Sequence, residues 1–304
     1  MQKFDVHILG CGSAKPTTRH NSSCQVVDVR DKLFMIDCGE GAQVHFRRSH
    51  LHFKRLNHIF ISHLHGDHCF GLIGLISTLG LLGRTADLHI YAPNPLPELL
   101  KPQLAFFCDG LSYRVKIHPF STRRSEILYE DRSLLIETVP LLHRMPCCGF
   151  IFREKATKYH LDPSAKEKYQ LPLYAIHAIK AGEDYVMPSG EVIPNSALTL
   201  PMKPVRSYAY ISDTAYKPDI VPRLKDIDCL YHEATFLHER LGRAVVTQHS
   251  TALQAGLIAD AAGCKKLVIG HFSARYHDES VLLEESKTVF SNTELANEGM
   301  IINV

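Results

Sequence analysis

Short apolar segments alternate with polar, glycine-containing turns along most of this 304-residue chain. Residues 4–9 place apolar side chains at alternate positions, which is typical of a half-buried strand, and residues 32–36 form a second apolar run. Both runs lead directly into loops that contain glycine. The pattern therefore predicts buried strands that feed loops.

Longer apolar patterns predict a smaller number of helices. Three such patterns cover residues 69–82, 251–262 and 279–290. In the second pattern, Ser250 or Thr251 is a candidate N-cap and Gly263 is a candidate stop. Strands and helices together predict an α/β protein.

Five further apolar segments share one design, because each is followed by a side chain that can bind a metal or transfer a proton. The segments are residues 57–62, 138–142, 208–212, 228–231 and 267–270, followed by His63, His143, Asp213, His232 with Glu233, and His271. Loops beyond strand ends collect ligands, since the rigid sheet fixes several side chains at one point. We expect these side chains to converge.

The densest group is the hexapeptide His63-Leu64-His65-Gly66-Asp67-His68. Imidazole nitrogens suit zinc, and a carboxylate oxygen can complete or bridge the shell of a second ion. Ligands two residues apart around a glycine favour a tight turn after the strand over a helix. We predict one metal at His63, His65 and His143, a second at Asp67, His68 and His271, and Asp213 between them.

Two such metals would suit displacement at phosphorus by a metal-activated water. In that reaction the leaving oxygen must gain a proton, and the metals cannot supply it, so a separate donor is required. His249 is the candidate, with Glu233 to orient its ring and stabilise its charged form. His232 is interpreted as a core or supporting histidine. Asp37, directly after the second strand, is expected to support the metal-ligand loop from behind.

Composition limits the class of protein. The nine cysteines are odd in number and scattered, which favours a reducing compartment over a disulfide framework. The first residues lack the apolar core of a signal peptide, and the most apolar stretch, residues 69–83, is too short to span a bilayer. We expect a cytoplasmic protein without a membrane partner. The net charge of +2 does not by itself indicate nucleic acid.

Residues 152–206 differ from the rest, because prolines interrupt every candidate element there. Over residues 153–206 the basic side chains outnumber the acidic ones by only two. A long insertion of this kind is either functional or a tolerated surface excursion, and composition leaves both interpretations open.

The hexapeptide, together with His143, Asp213 and His271, resembles the metallo-β-lactamase superfamily. The segments His232-Glu233-Ala234-Thr235 and His249-Ser250-Thr251 narrow the resemblance to the ribonuclease Z family, in its short form, over essentially the whole chain. The resemblance implies a four-layer αββα sandwich, two zinc ions per subunit and removal of the 3′ trailer from precursor tRNA after the discriminator nucleotide. It also implies that Asp67 acts as general base and that His249 with Glu233 protonates the leaving oxygen.

The resemblance further implies a single catalytic domain over residues 1–304, a homodimer, and a tRNA-binding arm at residues 152–206. Two segments depart from the family pattern. Residues 170–174 lack the Gly-Pro element of the arm, and residues 16–21 keep only the proline and asparagine of the family's Pro-x-Lys-x-Arg-Asn loop, with an arginine between the basic positions. The candidate RNA contacts are Arg19, Asn21, Arg47 and Arg48.

Two alternatives stay open. A fold alone does not fix a substrate, so the chain could be another dimetal phosphodiesterase or esterase of the superfamily that acts on a small molecule. It could also be a non-catalytic metal-binding or RNA-binding module. The inserted segment and the Glu233 and His249 pair favour RNA, since a small substrate requires neither.

Overall fold

Two seven-stranded sheets carry the candidate site residues. The computed structural model describes residues 3–156, 159–201 and 204–304. Residues 157–158 and 202–203 of the predicted arm lie outside the described residues. In spatial order the first sheet is β18 (Ile301–Asn303), β1 (Phe4–Gly10), β2 (Cys24–Val29), β3 (Lys32–Ile36), β4 (Leu56–Phe60), β5 (Leu88–Pro93) and β6 (Val115–Phe120).

The second sheet has a parallel half, which supplies most of the strand ends with polar side chains. Its order is β17 (Thr293–Leu295), β16 (Lys266–Gly270), β15 (Cys229–Glu233), β14 (Ser207–Ile211), β9 (Cys148–Glu154), β8 (Leu134–Pro140) and β7 (Ile127–Glu130). Strands β14 to β17 are parallel. Parallel strands bring their carboxyl ends to one edge, so the residues that follow β14 and β16 meet there.

Aromatic side chains join the inner faces of the two sheets. The ring centroids of Phe34 and Phe152 are 6.0 Å apart, and those of Phe60 and Phe150 are 5.7 Å apart, both pairs in edge-to-face geometry. Tyr208 on β14 donates a hydrogen bond to Gln25 on β2. All these side chains are buried, and this core holds the site-bearing strand ends in fixed positions.

Helices cover the outer faces and complete a four-layer αββα arrangement, as expected from the sequence. In chain order the helices of the described residues are α1 (Ala42–Arg48), α2 (Gly66–Cys69), α3 (Leu72–Leu81), α4 (Leu96–Phe107), α5 (Pro163–Lys168), α6 (Leu173–Ala181), α7 (Asn195–Leu198), α8 (Leu241–Thr247), α9 (Ala252–Ala261) and α10 (Ser280–Lys287). Of these, α5, α6 and α7 belong to the second compact unit described below and not to the four layers. Helices α1, α3 and α4 contribute to the apolar core of the first sheet. Within the described residues, no helix has the length and apolar character needed to cross a membrane.

The helix predicted over residues 69–82 is wrong in its start, because two helices occupy this region. Helix α2 already contains Asp67 and His68, so the second half of the hexapeptide is a helical turn rather than a loop. Gly71 separates α2 from α3, and its N–H donates to the Cys38 carbonyl at 2.9 Å. A Cβ on Gly71 would lie 2.0 Å from the Gly39 carbonyl oxygen. Only glycine allows the loop after β3 to approach this closely.

Other predicted element boundaries lie within a few residues of those in the structure. Thr251, rather than Ser250, is the N-cap of α9 and forms a capping box with Gln254. Strand β15 extends two residues further than predicted, so His232 and Glu233 lie on the strand and not beyond it. Helix α10 is shorter than predicted at both ends.

A second compact unit consists of Asp131–Leu134 and Glu154–Val205. It contains α5, α6 and α7 and two small sheets, which pair β10 (His160–Leu161) with β13 (Thr199–Leu200) and β11 (Tyr185–Val186) with β12 (Val192–Ile193). Buried Leu171, Ile179 and Leu198 belong to an apolar cluster of its own. The prolines therefore delimit short elements around a small core instead of preventing structure.

Candidate metal centre

Asp37 supports the ligand loop from a fully buried position. It follows β3 in the left-handed backbone region, with φ of 57°. Its Oδ1 accepts a hydrogen bond from the Ser62 N–H at 2.7 Å, and its Oδ2 accepts from the Ser62 hydroxyl at 2.9 Å and the Tyr210 hydroxyl at 2.8 Å. The same Oδ2 lies 2.7 Å from His68 Nδ1. Asp37 thus connects the end of β3 to Ser62, directly before the hexapeptide, and to His68, its last residue.

Three histidines and one carboxylate form the first cluster. His63 Nε2 lies 2.9 Å from His65 Nδ1, which lies 3.2 Å from His143 Nε2. Asp213 Oδ1 is 3.9 Å from His63 Nε2 and 3.8 Å from His143 Nε2. These four ligand atoms all lie within 4.8 Å of one another.

The second cluster uses the other oxygen of Asp213. Asp213 Oδ2 lies 3.1 Å from His68 Nε2 and 3.3 Å from His271 Nε2. Asp67 Oδ2 is 3.5 Å from His68 Nε2 and 3.9 Å from His271 Nε2. Both Nε2 atoms are buried and make no hydrogen bond among the described residues, although the oxygens are near. Nitrogens and oxygens that converge without bonding to one another suit a shared cation.

The histidine tautomers agree with this interpretation. A ligating histidine usually donates its second ring N–H to an oxygen, which frees the other nitrogen to bind metal. Because the hydroxyls of Ser62 and Thr235 donate to carboxylates, their oxygens accept from the rings. The Nδ1 atoms of His63, His68, His143 and His271 therefore donate to Ser62 Oγ at 3.0 Å, Asp37 Oδ2 at 2.7 Å, the Gln248 carbonyl at 3.0 Å and Thr235 Oγ1 at 3.0 Å.

The donor set and spacing fit divalent cations. Four-coordinate zinc with ligands at about 2.0–2.1 Å separates them by roughly 3.3 Å, close to the nitrogen and oxygen distances in both clusters. No cysteine lies among the candidate ligands, which is typical of catalytic sites. Each Asp213 oxygen faces a different cluster, so this carboxylate can bridge two ions.

The pKa values of most candidate ligands favour the forms that bind a metal, because a ligand must be deprotonated. Burial lowers the pKa of His63, and also of His143. Burial alone would raise the pKa of Asp213, but the imidazoles of His271, His68 and His63 lower it well below its usual range. His68 differs: despite its burial, the carboxylates of Asp213, Asp37 and Asp67 raise its pKa, so a cation must compete with a proton at this ring.

Glu233 and His249 form a hydrogen-bonded pair beside Asp213. Buried Glu233 accepts from the Thr214 N–H at 2.6 Å, the Thr235 hydroxyl at 2.6 Å and the Ser250 N–H at 3.0 Å. Its Oε1 lies 3.0 Å from His249 Nδ1. Burial lowers the pKa of His249, but the Glu233 carboxylate outweighs this effect and raises that pKa to about 9. His249 therefore carries a proton near neutral pH.

Left-handed backbone geometry aims three of these side chains. Asp37, Asp213 and His271 follow β3, β14 and β16 with φ of 57°, 61° and 58°. Such values are uncommon outside glycine and enriched in aspartate, asparagine and histidine. Such outliers cluster at functional sites.

A cavity of about 450 Å³ opens over the two clusters. His65, Asp67, His143, Asp213, His249 and His271 line it, together with Lys15, Glu40, Phe70 and Arg144. Sequence reasoning missed Lys15 and Arg144, because a single basic residue in a loop has no distinctive spacing. The position of Arg144 directly after a candidate ligand was the one available signal.

The four candidate RNA contacts lie outside the residues that line this cavity. Arg19 donates to the carbonyls of Tyr276 and His277 and pairs with Glu279 at 2.7 Å. Asn21 donates its side-chain N–H to the Leu9 carbonyl at 2.9 Å. Arg47 and Arg48 are exposed at the end of α1. The side chains of Arg19 and Asn21 thus have internal roles, while the two α1 arginines stay accessible.

Comparisons with known proteins define the class. The chain superposes on the crystal structure of human tRNase Z, short form (ELAC1), with a TM-score of 0.71 at 24% identity, covering 99% of both chains. It matches the metallo-β-lactamase fold protein YhfI from Bacillus subtilis with a TM-score of 0.71 at 19% identity, covering 100% of both. A family model described as Anti-Pycsar protein Apyc1 matches residues 4–105. The chain has the metallo-β-lactamase fold.

The family follows from sequence identity. The chain is 60% identical to a ribonuclease Z of Bacteroides fragilis over 304 residues, covering 100% of both proteins. It therefore belongs to the ribonuclease Z family, as the motifs indicated.

Replacing Asp213 tests the metal centre. We expect Asp213→Ala to lose most divalent metal after equilibration with zinc, because both clusters share this carboxylate, and His65→Ala to lose part of it. The control is His52→Ala, which removes an exposed histidine outside both clusters. Metal content of the dialysed proteins is the measurement, and an Asp213→Ala protein as metal-rich as the His52→Ala control would refute the assignment.

Proposed function

We propose that this protein is a zinc-dependent endoribonuclease that removes the 3′ trailer from precursor tRNA. Cleavage after the discriminator nucleotide would leave a 3′-hydroxyl on the tRNA and a 5′-phosphate on the trailer. Membership of the ribonuclease Z family supports the substrate. The observation that supports the chemistry is the hydrogen-bonded pair of Glu233 and His249. His249 Nδ1 lies 4.0 Å from Asp213 Oδ1, so the pair is beside the two clusters of candidate ligands.

Two zinc ions per subunit are the proposed cofactors. The first would be held by His63, His65 and His143, the second by Asp67, His68 and His271, with Asp213 shared between them. When bound, paired divalent ions supply a water-derived nucleophile at neutral pH and neutralise charge on the phosphate.

Asp67 is the proposed general base as well as a ligand. Imidazoles of His68 and His271 lower its pKa even though burial raises it, so Asp67 is anionic and can accept a proton. Its Oδ2 also accepts a hydrogen bond from the Ala14 N–H at 2.9 Å. This bond holds the carboxylate against the 11–16 loop and limits its rotation.

His249 is the proposed general acid. An alkoxide that leaves from phosphorus must gain a proton, and protonated His249 lines the cavity with its side chain 12% exposed. Glu233 has no comparable access, because it is fully buried and saturated with donors. Glu233 therefore acts on the ring of His249, fixing its orientation and keeping it charged.

His249→Ala tests this division of labour. We expect kcat for precursor tRNA to fall by about 100-fold or more, with metal content unchanged, because the ring is not among the proposed ligands. His52→Ala is the control and should keep both the kcat and the metal content of the wild-type protein. Mapping of the product ends separately shows whether the wild-type protein cuts after the discriminator nucleotide. Equal loss of metal in His249→Ala would assign the ring to the metal shell instead.

The alternative function is hydrolysis of a small phosphodiester or ester at the same candidate metal centre. The match to the family model described as Anti-Pycsar protein Apyc1 does not decide between the two functions, because it spans residues 4–105 and omits His143, Asp213, Glu233 and His249. Rapid turnover of a small phosphodiester by the wild-type protein, without any cut near the discriminator nucleotide, would favour this alternative.

The inserted segment at residues 152–206 is proposed to be the tRNA-binding arm of the single catalytic domain. The second compact unit, which holds most of this segment, has its own apolar cluster yet exposes Leu173 and Tyr174 at 82% and 79%. These residues occupy the position where the family's Gly-Pro element is missing. An ordered unit with exposed apolar and aromatic side chains is suited to contact a partner.

Deletion of residues 160–200 tests the arm. We expect KM for precursor tRNA to rise by at least tenfold while hydrolysis of bis(p-nitrophenyl) phosphate persists, since the deleted residues contribute no candidate ligand. Steady-state kinetics on both substrates measure the difference. If both activities survive unchanged, the segment is not an arm for tRNA.

A homodimer is the proposed assembly, acting on precursor tRNA in the cytoplasm. Helices α3 and α4 contact each other, and their ends leave Leu81, Phe106 and Phe107 exposed at 87%, 81% and 63%. Large exposed apolar side chains on neighbouring helices are typical of association surfaces. Sedimentation equilibrium tests the assembly, and the mass of a single chain at micromolar concentration would contradict it.

A further inference from the structure

A second cavity of about 330 Å³ adjoins the catalytic one. The two cavities share Lys15, Arg144 and His249 among their lining residues. The second continues past His249 along α8 and the segment after His271, where Arg243 and Arg275 line it. The space therefore begins at the proposed general acid and extends away from the metal clusters.

The charge of this groove is one-sided. One lysine and three arginines line it together with His249, and none of its lining residues is acidic, in a chain whose net charge is only +2. Arg275 is committed within the fold, because its guanidinium stacks 5.0 Å from the Phe236 ring centroid and its Nε donates to Ser273. Lys15, Arg144 and Arg243 are exposed.

Cations that share a groove without acidic neighbours repel one another and attract anions. Arg144 and Arg243 can each make bidentate contacts to phosphate, and Lys15 adds a point charge. Their positions around one elongated groove suit a polyanionic strand better than a single small anion. Phosphate contacts of this type position a nucleic acid without reading its sequence.

The position of His249 assigns the direction of the strand. The general acid must lie beside the leaving oxygen, and in the proposed reaction this oxygen is the 3′-oxygen of the discriminator nucleotide. The chain that continues from the leaving oxygen is therefore the tRNA acceptor strand, not the trailer. The rest of the catalytic cavity, which includes Glu40 and Phe70, has no lysine or arginine in its lining.

We infer that the groove lined by Lys15, Arg144 and Arg243 binds the phosphates of the acceptor strand immediately upstream of the cleaved bond. The inference rests on the proposed function. It assigns the positioning of the leaving group to residues outside the arm and outside the four RNA contacts expected from the sequence.

Arg243→Ala is the direct test, because this exposed side chain is on a surface helix and its removal leaves no buried group unpaired. We expect kcat/KM for precursor tRNA to fall about tenfold and the slope of its logarithm against log salt concentration to weaken by about 0.7–0.9. Arg243→Lys should restore part of the loss. The matched control is Arg123→Ala, an exposed arginine that lines neither cavity and should cleave like wild type.

Substrates with one neutral methylphosphonate distinguish the two sides of the cut. We expect a methylphosphonate directly upstream of the discriminator nucleotide to slow the wild-type enzyme but to have little further effect on Arg243→Ala. The inference would be overturned, with the proposed function intact, by either of two results. In the first, the Arg243→Ala variant is insensitive to a methylphosphonate in the trailer instead of one in the acceptor strand; in the second, Arg243→Ala cleaves precursor tRNA as fast as Arg123→Ala. A wild-type protein that fails to cut precursor tRNA would remove the proposed function and this inference with it.

Discussion

The carboxylate of Asp213 is the constraint on which the rest of the site depends. One oxygen faces His63 and His143, and the other faces His68 and His271. Asp213 is buried among imidazoles, and a buried carboxyl group stays ionised only where neighbouring cations compensate its charge. Bound metal cations would compensate the negative charge of Asp213, so the same side chains that would bind the metals also account for a buried carboxylate.

The fold meets this requirement through the ends of strands from both sheets. Strands β3 and β4 deliver Asp37 and the hexapeptide, while β14 and β16 deliver Asp213 and His271. The aromatic core between the sheets sets the separation of these ends. Buried oxygen acceptors then fix each ring, so Asp37, Ser62 and Thr235 decide which nitrogen is free to bind a cation. This support explains why so many polar groups are buried near one point.

The convergence of the candidate ligands could be predicted from the sequence because their signals are local and dense. Four metal-competent side chains within six residues, and a polar residue after each apolar run, indicate both chemistry and position. The α2 turn and the left-handed residues at strand ends were not predictable, since they depend on close backbone approaches such as that of Gly71 to Gly39. Arg144 and Lys15 were not predictable for a related reason. A single basic residue indicates a binding site only when its neighbours in space are known. Arg19 and Asn21 matched part of a family motif, yet their side chains are held by hydrogen bonds inside the chain.

The central claim is that one carboxylate joins two metal ions, and anomalous X-ray diffraction tests it most directly. Crystals grown with zinc and measured at the zinc absorption edge should show two anomalous peaks, one on each side of the Asp213 carboxylate, separated by roughly 3.5–4 Å. A single peak, or peaks that do not contact Asp213, would contradict the account.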